Sequence, residues 1–273
     1  MNSRIGIIVP LEDKPGLLKP ARTFGVNLVE LNCWNPARYT DALADQVRRE
    51  ASQLGIRITS LWAGWPGPAV WDFIDGPRTL GIVPPAYRPE RIAALKKGAD
   101  FAHRLQLPAI ITHLGFIPEI ATDQAFLDVV SAVREVAEYL AASGMEFWFE
   151  TGQETPVTML RLIEAVGTGN LGVNLDPANL ILYGKANPVD ALDVFGHYVR
   201  NVHAKDGLYP TTPNLLGTEV KVGRGKVHFP ALIAGLTGLG YRGPFIIERE
   251  ISGEQQGIDI KEAVDYLQNL LVD

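Results

Sequence analysis

Short apolar runs alternate with longer stretches in which apolar residues recur at helical spacing along the whole chain. Most of the apolar runs are continuous, which is typical of parallel strands that are covered on both faces. They predict eight strands, at 5–10, 27–32, 57–62, 109–113, 146–150, 171–175, 199–203 and 245–248. The amphipathic stretches predict helices at 39–54, 89–105, 123–142, 156–166, 229–239 and 257–271.

Eight strand-then-helix units without a change in composition predict an α/β fold, a closed (β/α)₈ TIM barrel that spans 1–273 as a single domain. An open doubly wound sheet would normally carry a glycine-rich phosphate loop after its first strand, whereas here Pro10-Leu-Glu-Asp-Lys-Pro-Gly follows. The longest irregular stretch, 63–88, is rich in Pro, Gly and Trp, and we expect it to form a functional loop or a lid.

Four polar residues stand at or near the ends of the last four predicted strands: Glu150, Asp176, His203 and Glu248. In such a barrel the C-terminal ends of the strands meet at one mouth, so these side chains are expected to converge. Three carboxylates and one imidazole suit one Mn²⁺ or Mg²⁺, with Zn²⁺ or Co²⁺ as alternatives. A single Glu at a strand end is as readily a surface or ion-paired residue, so the prediction rests on the four together.

Other polar and aromatic residues fall at the same mouth and are candidates for binding a substrate: His113, Glu154, Asn179, Lys205, Arg224, Trp34 and Trp65. Each has a structural alternative. His113 could be a satisfied core histidine, Asn179 could serve a turn after Pro177, and Lys205 could solvate a loop. Arg224 could belong to an ordinary turn before a helix, and large aromatic residues also fill barrel interiors.

Charge and cysteine content narrow the class of protein. The net charge is −6 and no long basic run is present, which disfavours binding to nucleic acid or to an anionic membrane. No apolar run approaches the roughly 20 residues that cross a bilayer. The single cysteine, Cys33, excludes an internal disulfide and a thiolate cluster, and we expect the protein to be cytoplasmic.

Several motifs together resemble the sugar phosphate isomerase/epimerase family of xylose isomerase-like barrels. They are Phe149-Glu-Thr-Gly-Gln-Glu154, Asn174-Leu-Asp-Pro-Ala-Asn-Leu180, Val202-His-Ala-Lys-Asp206 and Gly240-Tyr-Arg-Gly-Pro-Phe-Ile-Ile-Glu-Arg-Glu250. The resemblance covers nearly the whole chain. It implies one divalent cation, often Mn²⁺, bound by the four predicted ligands, and it makes Glu150 and Glu248 an acid/base pair.

Two departures from known relatives bear on the substrate. Ketose epimerases of the family carry His three residues after the aspartate ligand, where this chain has Asn179, which leaves the substrate open. The tri-zinc endonucleases of the same superfamily need more histidines than the five present here, so DNA repair is not expected.

We therefore expect a divalent-metal-dependent isomerase or epimerase that acts on a sugar or sugar phosphate through an enediolate, by proton transfer at the carbon next to a carbonyl. One alternative is a metal-dependent dehydratase or lyase that acts on keto-sugars, inososes or glycosides. The other is an inert carbohydrate-binding barrel with a vestigial metal site. A homodimer or homotetramer is compatible with such a barrel, but no stripe in the sequence identifies an interface.

Overall fold

The apolar runs form a ring of parallel strands in the computed structural model, which describes residues 4–271; the outermost residues of the predicted domain, 1–3 and 272–273, lie outside the described residues. The strands are β1 (Ile5–Pro10), β2 (Leu28–Cys33), β3 (Arg57–Ala63), β4 (Ala109–Thr112), β5 (Glu146–Glu150), β6 (Leu171–Leu175), β7 (Val199–Ala204), β8 (Asp206–Leu208), β9 (Thr218–Val220) and β10 (Phe245–Ile247). β1 to β7 and β10 close into an eight-stranded barrel in chain order, and β10 pairs with β1. The prediction of a (β/α)₈ barrel is confirmed.

The helices surround the barrel. They are α1 (Lys19–Thr23), α2 (Asp41–Leu54), α3 (Gly76–Thr79), α4 (Arg88–Arg104), α5 (Gln124–Ala141), α6 (Pro156–Val166), α7 (Pro177–Leu182), α8 (Leu192–Phe195), α9 (Phe229–Gly238) and α10 (Glu254–Leu270). The six predicted helices correspond to α2, α4, α5, α6, α9 and α10, with ends shifted by a few residues. The sequence pattern missed the four short helices, because an element of four to six residues shows no helical period.

The hydrophobic core lies between the barrel and this helical layer. Helix α5 illustrates its construction, because Val129, Val133, Val136 and Leu140 recur at helical spacing and are fully buried. Burial of each such side chain contributes about 2 kcal/mol relative to exposure. None of the helices in residues 4–271 is both long and apolar enough to cross a membrane.

Two shifts in strand register place polar side chains inside the barrel. The pairing of β2 with β3 shifts after Val29, so Glu30 lies opposite Ser60. The pairing of β6 with β7 shifts after Val173, so Asn174 lies opposite Asn201. A bulge of this kind re-aims the side chains that follow it. The result is a fully buried polar layer of these four residues directly below the barrel mouth.

Candidate metal centre

The four predicted ligands converge at the C-terminal end of the barrel. Donor atoms of Glu150, Asp176, His203 and Glu248 all lie within 4.8 Å of one another. Nδ1 of His203 is 3.2 Å from Oε1 of Glu150, 3.1 Å from Oε2 of Glu248 and 3.8 Å from Oδ2 of Asp176. The residues come from β5, the end of β6, β7 and the end of β10, so the closed barrel is what brings them together.

The donor set fits a single divalent cation. Such cations bind oxygen and nitrogen at about 2.1 Å, which places neighbouring ligands of an octahedron about 3 Å apart. Oδ2 of Asp176 and Oε2 of Glu248 are buried without a well-aligned hydrogen bond from the described residues, although His203 and Lys205 lie 3.1–3.8 Å from them. Buried carboxylate oxygens without a donor are rare and require an explanation. A bound cation would supply the missing partner for both oxygens.

The backbone around Asp176 is fastened to the end of β5. Oγ1 of Thr151 donates to the carbonyl oxygen of Asp176 at 2.8 Å and accepts the amide N–H of Asp176 at 2.9 Å. Asp176 also caps helix α7, whose first residue is Pro177, a residue suited to that position because it needs no amide donor. The Asp-Pro motif therefore holds this carboxylate rigidly at the barrel mouth.

Glu150 is surrounded by hydrogen-bond donors. Its Oε2 accepts the indole N–H of Trp62, and its Oε1 accepts Nδ2 of Asn179 at 3.3 Å and lies 3.4 Å from Nε2 of His113. Burial alone would raise the pKa of Glu150, but His113 and His203 hold that pKa well below its ordinary value. The carboxylate is thus held ionised, as a metal ligand must be.

Glu248 and Asp176 differ in their electrostatic surroundings. Burial opposes ionisation of Glu248, yet Lys205 and His203 lower its pKa to about 2. Burial raises the pKa of Asp176 well above its ordinary value, an effect that Lys205 offsets only in part. The nearby acids Glu248 and Glu150 add to that rise. A dication between the three carboxylates would remove this mutual repulsion.

The ammonium group of Lys205 is held among carboxylates at the rim of the cluster. Its Nζ lies 2.7 Å from Glu250, 3.5 Å from Glu248 and 3.8 Å from Asp176. Burial would lower the pKa of Lys205, but these carboxylates raise it well above its ordinary value. Lys205 is therefore protonated, and the neighbouring carboxylates of the protein balance its positive charge.

A cavity of about 450 Å³ opens directly above the cluster. Its walls are formed by Asn32, Trp34, Trp62, Trp71, His113, Glu150, Asn179, Leu182, Tyr183, Lys205, Leu216, Glu248 and Glu250. Trp34 and Trp71 are 42% and 38% exposed and form an aromatic wall at the entrance. A larger groove, about 670 Å³, lies between α2 and α4, but the converging buried donors are at the barrel mouth.

The long stretch after β3 is fastened in place by a buried arginine. The guanidinium of Arg91 donates to four backbone carbonyls, those of Pro66, Pro68, Thr79 and Gly81, at 2.5–3.2 Å. It also lies over the rings of Trp65 and Tyr87 at 5.3 and 4.7 Å. This stretch brings Trp71 to the cavity wall, in agreement with the expectation that it has a functional part, and its role as a lid stays a prediction.

The structure gathers part of the predicted substrate-binding set. His113, Asn179, Lys205 and Trp34 line the cavity. Trp65 is buried behind Trp34, with ring centroids 5.2 Å apart, and does not line it.

Glu154 and Arg224 lie outside the cavity wall. Glu154 is buried, and its Oε1 accepts the amide N–H of Gly152 at 3.2 Å. Arg224 is exposed. The expectation that Glu154 and Arg224 contact a substrate therefore has no support in this arrangement.

Asp206 explains the position of the Arg224 loop. Its carboxylate accepts the amide N–H groups of Gly207, Gly223, Gly225 and Val227 at 2.9–3.1 Å. A Cβ atom at Gly225 would lie only 2.1 Å from Oδ1 of Asp206, so only glycine permits this approach. The loop is thereby pinned to the end of β7 and its hairpin.

Six residues of the site were not among the predicted ligands and substrate-binding residues: Glu30, Asn32, Trp62, Trp71, Tyr183 and Glu250. Glu30 accepts a hydrogen bond from Asn201 and lies 2.9 Å from Nε2 of His203. A signal for it was available, since an acidic residue inside the apolar run Leu28-Val-Glu-Leu is unusual. Tyr183 lies on a segment without strand periodicity, so nothing in the pattern marked it.

Comparison with known proteins identifies the family. The family model described as xylose isomerase-like TIM barrel matches residues 18–270. The chain belongs to this family, as the motifs predicted. The crystal structure of a xylose isomerase domain protein from Planctomyces limnophilus is similar over 98% of this chain and 96% of that chain, with 35% identity and a TM-score of 0.92.

More distant structures share the fold. A D-tagatose 3-epimerase-like protein has 19% identity and a TM-score of 0.75 over 98% of each chain. A xylose isomerase-like TIM barrel protein from Mycobacterium smegmatis, solved in complex with magnesium, has 18% identity and a TM-score of 0.72 over 98% of this chain and 97% of that chain. Among curated proteins, uncharacterized protein MJ1311 of Methanocaldococcus jannaschii is 25% identical over 170 residues. That match spans 58% of this chain and only 56% of the relative's length.

Proposed function

We propose that this protein is a divalent-metal-dependent isomerase or epimerase of an uncharged keto-sugar, which moves a proton at the carbon next to the carbonyl through an enediolate. The observation that carries the proposal is the convergence of four donors, three of them on buried residues, at the floor of a cavity large enough for a sugar. The fold shared with a D-tagatose 3-epimerase-like protein agrees with this class of chemistry.

The chain supplies the metal ligands and the proton-transfer groups. Glu150, Asp176, His203 and Glu248 would hold one dication, Mn²⁺ or Mg²⁺ by the chemistry of the donors. When bound, the cation would polarise a substrate carbonyl and stabilise the negative charge that develops during proton loss. Proton transfer itself would be carried out by side chains of the protein.

Glu248 is the residue that we assign to proton abstraction. Its Oε2 receives no hydrogen bond, and its side chain is 16% exposed on the cavity wall. Glu150 lies on β5, separated from β10 by β6 and β7, so the two carboxylates face a substrate from different sides. We assign the return of the proton to Glu150, which Trp62 and Asn179 hold in a fixed orientation.

The charge of the cavity supports an uncharged substrate. Lys205 is the one lysine or arginine among the described residues that line it, and three carboxylates surround its ammonium group. A phosphate group needs free cationic donors, such as an arginine fork, and Glu250 at the same wall would repel it. The exposed faces of Trp34 and Trp71 instead suit the apolar face of a sugar ring.

Dehydration of a keto-sugar is the second candidate, and Lys205 favours it. Its ammonium group lies 3.5 Å from Glu248, close enough to stabilise by a charged hydrogen bond a hydroxyl group that departs next to the carbon that Glu248 deprotonates. Such an elimination would release water, whereas epimerisation or isomerisation would not.

Proton exchange in deuterated water tests the proposal. Protein loaded with Mn²⁺ is incubated with a panel of free ketoses and keto-inositols, and the products are followed by NMR and mass spectrometry. The proposal predicts deuterium at the carbon next to the carbonyl without loss of water, and at least a 100-fold slower exchange in Glu248→Gln. Loss of water would support the dehydratase, and equal exchange by Glu248→Gln would refute the assigned base.

A further inference from the structure

Glu30 lies one layer below the candidate metal centre, where it does not line the cavity. Its carboxylate is fully buried in the barrel interior. We propose that Glu30 is a positioning residue that holds the imidazole of His203 in the tautomer that binds metal, with the proton on Nε2 and the lone pair of Nδ1 directed at the other three ligands. This inference rests on the metal site of the proposed function.

The contacts of Glu30 show which groups donate hydrogen bonds to its two carboxylate oxygens. Oε1 of Glu30 lies 2.9 Å from Nε2 of His203. Oε2 accepts Nδ2 of Asn201 at 2.8 Å and Oγ of Ser60 at 3.0 Å. An ionised carboxylate only accepts hydrogen bonds, so Glu30 keeps a proton on Nε2 and leaves Nδ1 as the ring nitrogen that can bind a cation among Glu150, Asp176 and Glu248. A metal-binding histidine commonly gives its second ring N–H to a carboxylate in this way.

Asn174 offers a competing partner for the same ring nitrogen. Its Nδ2 lies 3.1 Å from Nε2 of His203, while its Oδ1 accepts Nδ2 of Asn201 at 2.7 Å. If Asn174 donated to Nε2, Oε1 of Glu30 would lose its donor and remain a buried acceptor without a partner. An unsatisfied buried carboxylate oxygen is unfavourable, so the arrangement with the proton between Nε2 and Glu30 is favoured.

A purely structural role would not require this residue. Burying a charge in a closed barrel core costs desolvation free energy. Apolar residues of similar size can often replace buried charged groups without loss of stability. Here an extra residue in β3 and another in β7 place Ser60 opposite Glu30 and Asn201 opposite Asn174 inside the barrel. The chain thus builds a polar layer whose charged member contacts the imidazole of the metal cluster.

The substitution Glu30→Gln tests the tautomer directly. Asn201 and Ser60 both donate to the Oε2 position, so the carbonyl oxygen of the new amide must occupy it. The amide NH₂ group then faces Nε2 of His203 and forces the proton onto Nδ1, the nitrogen that faces the other ligands. We expect Mn²⁺ affinity to fall roughly 10- to 100-fold, with the fold intact.

Ser60→Ala is the matched control. It removes a hydrogen bond to the same carboxylate but leaves the contact between Oε1 and His203 in place. We expect this variant to lose some thermal stability and to bind Mn²⁺ within about threefold of wild type. Affinity is measured by titration of chelator-treated protein, with free Mn²⁺ followed by electron paramagnetic resonance.

A spectroscopic readout separates positioning from general damage. In ¹⁵N NMR spectra of the Mg²⁺-loaded protein, His203 of wild type and Ser60→Ala should carry its proton on Nε2, and Glu30→Gln in the metal-free state should carry it on Nδ1. Wild-type affinity in Glu30→Gln, or an unchanged tautomer, would overturn the role of Glu30. Failure of the wild-type protein to bind any divalent cation would instead overturn the proposed metal site and the inference with it.

Discussion

Asp176 uses the two oxygens of its carboxylate for different purposes. Oδ1 accepts the amide N–H of Asn179 at 2.8 Å and so caps helix α7, while Oδ2 lies 3.8 Å from Nδ1 of His203. One residue therefore begins a helix and contributes a candidate metal ligand. The helix start and the metal site can be separated by substitution.

Asp176→Asn and Asp176→Ala should differ in stability but not in metal binding. Asn caps helices as well as Asp, whereas Ala removes the cap and costs about 1 kcal/mol. Both variants should lose at least 10-fold in Mn²⁺ affinity, because neither offers a carboxylate. Chemical denaturation and metal titration of the two proteins provide the check. Wild-type affinity in Asp176→Asn would show that Oδ2 is not a ligand.

Glu250→Gln should relax discrimination against phosphorylated sugars. Glu250 provides the shortest contact to the ammonium of Lys205, 2.7 Å, so its replacement leaves a partly free cation at the cavity wall. We expect the wild-type protein to bind a free ketose at least 10-fold more tightly than its phosphate ester, and the variant to reduce that ratio severalfold. Competition binding to the metal-loaded protein measures it. Tighter binding of the phosphate ester by wild type would contradict the account.

Arg91→Met should loosen the cavity wall without affecting the metal site. The side chain would keep its apolar stem but lose every donor to the four carbonyls that it now satisfies. We expect a loss of about 3 kcal/mol in the free energy of unfolding. Amide hydrogen exchange in 64–81 should become faster and Mn²⁺ affinity should stay within about threefold. Unchanged exchange in that stretch would show that other contacts hold the wall.

Glu154 should make the protein less stable as the pH rises from about 4.5 to 7. Burial raises its pKa from about 4.5 to about 7, so the folded state retains a proton that the unfolded chain has already lost between these values. Stability from this group is present below pH 4.5 and is lost as the pH rises towards 7. We expect Glu154→Gln to gain up to about 3 kcal/mol relative to wild type between pH 5 and pH 8. Denaturation curves at both pH values test this, and an equal difference at each would contradict the shifted pKa.

The sequence predicted the barrel well because parallel strands buried on both faces leave long apolar runs. The convergence of the four candidate ligands could be predicted for the same reason, since each stands where such a run ends. Short elements could not be predicted. Helix α7 has six residues and β8–β9 has two strands of three, too few for a period to emerge.

The supporting residues of the site were beyond the sequence because they depend on register and on contacts between distant segments. The bulge in β3 places Ser60 opposite Glu30, and this pairing is visible only in the structure. Asp206 ends the motif Val202-His-Ala-Lys-Asp206, yet its carboxylate accepts four backbone N–H groups and does not face the cavity. These contacts hold the loop that contains Arg224, and only the structure shows that this loop lies away from the cavity.

Metal counting tests the central claim most directly. Chelator-treated protein is equilibrated with Mn²⁺ or Mg²⁺, and bound metal is measured alongside His203→Ala and Glu248→Ala. The account predicts about one ion per wild-type chain and at least 10-fold weaker binding in both variants. No bound ion in wild type, or equal binding in His203→Ala, would show that these four side chains do not form a metal site.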